Sequence, residues 1–309
     1  MIILLNKYSN NGKGLRKWKY LKTELEKKYI GHDYTIVSDI EDFDKRLRSE
    51  FERGERIFTA AGGDGTVHFL LNCIMRMRET EKKPVVLGAI GLGSSNDFHK
   101  PAAKDRYLNG KVPFRLDYKN ATQHNVARVD FEDENHKWQR KYFIINCSIG
   151  ILAYANYIFN SREMVINFLK SKWVIGTIWY AGLKTLFSAA NIPATVKVGD
   201  ESFMTKVTNL SVVINPHFSG NFRYDFEVTP QSDFLGVALC EHMGLPARLK
   251  TFFALANSRF SDLPGTRVWQ TPDIEICPDA PTPLELDGEV YLGRKIKIKL
   301  LKGGLKVCR

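Results

Sequence analysis

Along the first 120 positions the spacing of apolar residues switches repeatedly between two periods. Runs of consecutive apolar residues at 2–5, 34–37, 57–60 and 85–90 read as buried strands. Between them, over 15–29, 43–52 and 67–78, apolar residues recur every three or four positions, as on an amphipathic helix. Alternation of this kind predicts a doubly wound α/β domain, an open parallel sheet with helices on both faces and right-handed crossovers. Beyond about residue 121 the pattern turns to short β-type runs at 125–131, 142–146, 195–198, 210–214, 237–241, 273–276 and 284–286, with helical spans only at 162–190 and 246–256. Many strands with few helices predict a mainly antiparallel β-sandwich or barrel-like domain. The expected division is 1–120 and 121–300, with the terminal run 301–309 free to return to the first domain.

In an open parallel sheet, ligands bind beyond the carboxyl ends of the strands. Three loops fall at such ends: 6–14, 62–66 and 91–97. Gly62-Gly63-Asp64-Gly65-Thr66 lies between a strand and a helix, so bare backbone and the N–H groups of a helix start can approach a bulky anion. Phosphate fits that description. Asp64 would repel a bare phosphate, so it makes sense if Mg²⁺ or a substrate hydroxyl lies between them. Asn6 and Ser9 in the first loop, and Gly93, Ser94, Ser95 and Asn96 in the third, add amide, hydroxyl and backbone donors. Far along the chain, Asp287-Gly288 stands between Leu284-Glu285-Leu286 and Val290-Tyr291-Leu292, a strong two-residue hairpin signal. A rigid hairpin would be a good mount for the carboxylates of Asp287 and Glu289.

Charge and composition narrow the partners. A net charge of +11 makes an acidic partner expected, whether a polyphosphate or an anionic membrane surface, while no nucleic-acid-reading motif is present. Five cysteines without Cys-x-x-Cys spacing argue against a disulfide framework or zinc site, and the start of the chain lacks a signal pattern, so a cytoplasmic home is expected. The apolar stretch 173–192 is interrupted by Lys184 and by small residues, which suits a packed or surface helix better than a membrane span.

The order of these motifs resembles the diacylglycerol kinase catalytic family, which includes sphingosine kinases and related bacterial lipid kinases and is similar to NAD kinase. In that family an Asn-Pro-x-Ser-Gly-like loop, a Gly-Gly-Asp-Gly-Thr loop and a Gly-Thr-x-Asn-Asp-like loop bind ATP, and a late Asp-Gly-Glu turn completes the site. The matching positions here are Asn6 and Ser9, Gly62 to Thr66, Gly93 to Asp97, and Asp287-Gly288-Glu289. The resemblance implies an ATP- and Mg²⁺-dependent kinase acting on a lipid hydroxyl, peripheral at a membrane, with a homodimer possible and the active site in the cleft between domains. It implies Asp287 or Asp64 as general base or orienting group, and Glu289 as catalytic support and metal ligand. Lys7 and Asn10 stand where proline and glycine are usual, and Ile151-Leu152-Ala153 lacks an aspartate that the family often uses for substrate. A soluble acceptor, as in NAD kinase, and a catalytically silent lipid-binding protein are the competing readings.

Overall fold

Four buried apolar side chains in succession make Ile2–Leu5 (β1) a strand covered on both faces, and the sheet of the first unit grows outward from it. The computed structural model describes all residues except 11, 31–33, 39–41, 82, 102–103, 161–173 and 221. The chain folds as two units, Met1–His124 with Gly303–Arg309, and Asn125–Lys302.

In the first unit β1 lies between Thr35–Val37 (β2) and Ile57–Gly62 (β3), and β3 pairs in turn with Val86–Gly91 (β4); every one of these pairings is parallel. Lys13–Leu25 (α1) puts Trp18, Leu21 and Leu25 on one face and buries them against Ile3, Leu5, Ala61 and Ile90. A π-helical turn, Glu26–Ile30, continues it. Phe43–Glu52 (α2) buries Phe43, Leu47 and Phe51 at four-residue spacing, and Asp64–Thr80 (α3) packs on β3 and β4. Tyr107–Leu108 (β5) pairs with Val112–Arg115 (β6), which runs antiparallel to β4, while Lys306 and Val307 run parallel beside Val86 and Leu87. Because β1, β3 and β4 share one direction, the loops that follow them leave the same edge of the sheet.

In the second unit the strands are Thr122–Glu132 (β7), Trp138–Phe143 (β8), Asn146–Gly150 (β9), Ile192–Val198 (β10), Glu201–Val213 (β11), the short hairpin His217–Phe218 (β12) and Phe222–Arg223 (β13), Leu235–Glu241 (β14), Thr266–Thr271 (β15), Asp273–Pro278 (β16), Thr282–Leu286 (β17) and Glu289–Val307 (β18). The first half of β11 pairs with β10 and its second half with β9 and β14, while β18 pairs first with β17 and then with β16. The path β11-β10-β16-β18-β17-β9 therefore returns to β11, a closed antiparallel ring. Of the two expected arrangements, sandwich and barrel-like, the closed ring is the second: its two layers are not separate sheets but share the long strands β11 and β18. Inward alternation fills the ring with Val196, Leu210, Ile276, Leu284, Ile296 and Ile298.

Ile151–Asn160 (α4) is a helix that the apolar pattern did not announce, since it follows β9 without a break. Within the expected helical span 162–190, a helix covers Val174–Ser188, and 161–173 lie outside the described residues. The second expected helix is Leu245–Ala256, with Pro246 in its first turn. Phe218, Phe222 and Tyr224 are core, packed with Val213, Val228 and Phe260. Among the described residues no helix is long and apolar enough to cross a membrane.

Candidate active site

In the first unit the three loops beyond β1, β3 and β4 are tied directly to one another. Asn6 donates from Nδ2 to Thr66 Oγ1 at 3.0 Å, joining the first loop to the start of α3. Gly62 O accepts from Leu92 N at 2.7 Å and from Gly93 N at 3.2 Å, joining the second loop to the third. Asp64 completes the tie: its carboxylate accepts from Asp97 N at 3.1 Å and Phe98 N at 3.0 Å, where the 3₁₀ turn Asp97–His99 begins. Asn96 sits in the left-handed region with φ 51°, and its Oδ1 accepts from Gly93 N at 3.1 Å.

The glycines serve this convergence. A Cβ on Gly93 would collide with the Gly63 backbone, a Cβ on Gly62 would collide with the Thr66 side chain, and a Cβ on Gly14 would collide with Ser9 Oγ. Gly63 and Gly93 thus let two backbone segments pass at van der Waals distance, an approach that the motif alone reserves for the ligand, while Gly62 leaves room for the Thr66 side chain. Among the described residues Ser9 Oγ is buried with no hydrogen-bond partner, an orphaned donor in the first loop. Ser94 is exposed, and Ser95, Gly63, Asp64 and Gly65 are half-buried. Thr66 N and Val67 N already donate to Gly63 O, so the N–H groups of Asp64 and Gly65 at the start of α3, together with these donors, can hold an anion.

In the second unit, Asp287 and Gly288 both have positive φ, 50° and 94°, and form the two-residue turn between β17 and β18 that the Asp-Gly pair announced. Asp287 is 2% exposed. Its carboxylate accepts from three successive peptide N–H groups, Ile144 at 3.1 Å, Ile145 at 2.8 Å and Asn146 at 3.1 Å. This explains why the expected strand 142–146 is split: β8 ends at Phe143 and β9 begins at Asn146, and the backbone between them turns its N–H groups to the carboxylate. Two positions earlier, buried Glu285 accepts from Ser148 Oγ at 2.7 Å. Burial, and then the charges of Glu285 and Asp287, push the Cys147 thiol pKa well above its ordinary value. Glu289 is exposed. The Glu285–Ser148 pair escaped sequence reading; its signal was an acid flanked by Leu284 and Leu286 in an apolar strand.

Among the described residues no three or more His, Cys, Asp or Glu side chains gather into a metal cluster. Mg²⁺ does not require one, since it is commonly held by one or two carboxylates and the phosphates it accompanies. With Asp64 and Asp287 turned to backbone, exposed Glu289 is the carboxylate of the expected set whose setting fits that use.

The comparisons with known proteins agree with the loop geometry. Residues 1–124 match the family "Diacylglycerol kinase catalytic domain". The chain is 23% identical over 264 residues to a "Putative lipid kinase" of Staphylococcus carnosus (strain TM300), covering 81% of this chain and 76% of that protein. It is 20% identical over 299 residues to "Putative lipid kinase YtlR" of Bacillus subtilis (strain 168), covering 93% and 92%. Two solved structures of a "putative diacylglycerol kinase" from Bacillus anthracis str. Sterne share the fold, with TM-scores of 0.71 and 0.67 at 16% and 17% identity, each covering 99% of this chain and 96% of the other. The likeness to the diacylglycerol kinase catalytic family read from the motifs is thus shown, with the family match falling on residues 1–124.

Proposed function

We propose that this protein is an ATP-dependent lipid kinase that transfers the γ-phosphoryl group of ATP to the hydroxyl of a diacylglycerol-like or sphingoid-like lipid. The observation that carries the reading is the mutual bonding of the three loops after β1, β3 and β4, with the orphaned Ser9 hydroxyl among them. In this reading backbone N–H groups of 63–65 and 94–96, with Asn6, Ser9, Thr66, Ser94 and Ser95, bind the triphosphate, while Gly62 and Gly93 keep the two backbones close. Mg²⁺ supplies charge neutralisation when bound, with Glu289 as its protein ligand. The lipid hydroxyl oxygen forms a bond to the γ-phosphorus as the bond to the β,γ-bridging oxygen breaks. ADP leaves, and the hydroxyl proton passes to a carboxylate or to water. The transition state of such transfers is loose, so positioning outweighs proton abstraction, and Asp64 and Asp287 act chiefly by fixing the loops.

One further feature supports a lipid acceptor at a membrane surface. The net charge of +11 favours an anionic bilayer, with each nearby Lys or Arg contributing about 1 kcal/mol. A second reading, a catalytically silent lipid-binding protein, is favoured by one observation: both candidate bases already accept backbone N–H groups. An acceptor panel separates the readings. ATP consumption measured with diacylglycerol, a sphingoid base or NAD should rise with one of the lipids; a rise with NAD alone points to a soluble acceptor, and no rise with any points to silence.

A further inference from the structure

We propose that a cavity in the first unit binds a nucleoside phosphate. It is a half-open cleft of about 430 Å³, inside the range of about 300–1,000 Å³ usual for small-molecule sites. None of its lining residues belongs to the loops 6–14, 62–66 or 91–97, so the inference does not rest on the kinase reading.

The lining combines three chemistries. Its floor is apolar: Phe114 at the end of β6 and Leu116 just beyond it are both buried and line the space. Tyr29, from the turn after α1, leans on Phe114 with ring centroids 4.6 Å apart. Tyr29 is 39% and Tyr118 41% exposed, so two aromatic rings of the cavity wall remain available to a planar group. Four cations, Lys28, Arg106, Lys119 and Arg309, share the lining. Lys28 is drawn to Glu24 at 3.1 Å, whereas Arg106, Lys119 and Arg309 close no ion pair among the described residues.

Two carboxylates, Asp105 and Asp117, complete the wall. Asp117 is rigidly placed: it accepts from Asn120 N at 3.2 Å and Asn120 Nδ2 at 2.8 Å, and its backbone exchanges hydrogen bonds with that of Arg309 at 3.3 and 3.1 Å. The Asn120 side-chain bond, more than any other interaction, holds its carboxyl below the usual range.

The mixture selects the ligand. Surplus positive charge calls for a phosphate, while exposed aromatic faces over an apolar floor call for a flat ring. Carboxylates beside the cations penalise a ligand that is anionic throughout, and they accept hydrogen bonds from hydroxyl or amino groups. A nucleoside monophosphate offers ring, hydroxyls and phosphate together; inorganic phosphate offers only the last.

The test is equilibrium dialysis with AMP as probe, beside inorganic phosphate, on the full chain. AMP should bind saturably and more tightly than phosphate. The double variant Arg106→Ala/Lys119→Ala, the first at a half-buried and the second at an exposed position, should weaken AMP by about tenfold or more through loss of two charge-assisted bonds. Lys22→Ala, on an exposed face of α1 outside the cavity, should leave AMP affinity unchanged, as should Ser94→Ala at an exposed position of the loops. AMP affinity unaffected by the double variant, lost instead with Ser94→Ala, or equalled by that of inorganic phosphate would overturn the assignment.

Discussion

Asp64 and Asp287 are both acids set against peptide N–H groups, one at the mouth of a parallel sheet and the other at a β-hairpin. They differ in how much backbone each restrains. Asp64 is half-buried and holds two N–H groups of one neighbouring loop, 33 and 34 positions away. Asp287 is buried and holds three successive N–H groups 141 to 143 positions away, breaking what would be a continuous strand. The difference teaches that an acidic residue in a glycine-rich loop need not face a ligand, because it can instead fix the neighbouring backbone.

The largest effect is expected from Asp287→Asn. An amide keeps one acceptor oxygen and turns an NH₂ toward the N–H groups, so stability should fall by about 1–3 kcal/mol, and lipid-kinase turnover should fall by roughly 10² to 10⁴. Urea unfolding beside turnover separates the roles: lost turnover at unchanged stability assigns Asp287 to chemistry alone, and unchanged turnover removes it from the site.

Gly93→Val comes next, since its Cβ meets Gly63 backbone rather than a flexible side chain. Overpacking of this kind costs about 1–3 kcal/mol, and ATP affinity should drop with it. Gly12→Ala, with φ 77° and nothing within 4 Å of the added Cβ, is the contrast; it should cost only the left-handed strain of about 1–2 kcal/mol. Equal nucleotide affinity in wild type and Gly93→Val would show that the loops' close approach does not build the cradle.

A pH titration compares the units as wholes. In the first, burial, and then the nearby Arg115 charge, pull the pKa of His99 and of His124 from 6.5 to about 3. The unfolded chain takes up these protons as pH falls below 6.5 while the folded chain does not, so stability declines progressively from pH 6.5 toward 3. In the second, hydrogen bonds from Lys295 and Arg294 hold Glu132 down from 4.5 to about 2, a contribution present above 4.5 and lost as pH falls toward 2. Hydrogen exchange at about pH 7 and about pH 5, corrected for intrinsic rates, should therefore lose protection in Met1–His124 before Asn125–Lys302. Loss in the opposite order would break the comparison.

The smallest effect belongs to Asp64→Asn, which gives up one of two backbone acceptors at a half-buried position; a loss of about 1 kcal/mol is expected. A larger loss than that of Asp287→Asn in the same urea series would reverse the ranking on which the comparison rests.

Much of the first unit was legible because its signals are local. A buried run, a glycine turn and a periodic helix identify a strand–loop–helix unit within about twenty residues, and Phe43–Glu52 follows its spacing residue for residue. The Asp287-Gly288 turn was equally plain, since positive φ at two positions selects such a pair. Less was legible in the second unit. The helix α4 hides in an apolar run that fits a buried strand as well, and the sharing of β11 and β18 between layers depends on which halves of long strands find which partners.

The sequence by itself determined where the chain bends, which segments are strand or helix across most of its length, and which loops are poor enough in side chains to hold an anion, because those properties depend on neighbours a few positions apart. Only the tertiary structure decided what each acid does. Whether a carboxylate meets solvent, a metal or peptide N–H groups depends, in the case of Asp287, on residues far more distant along the chain than any local pattern reaches, and backbone donors carry no side-chain identity for a sequence to record.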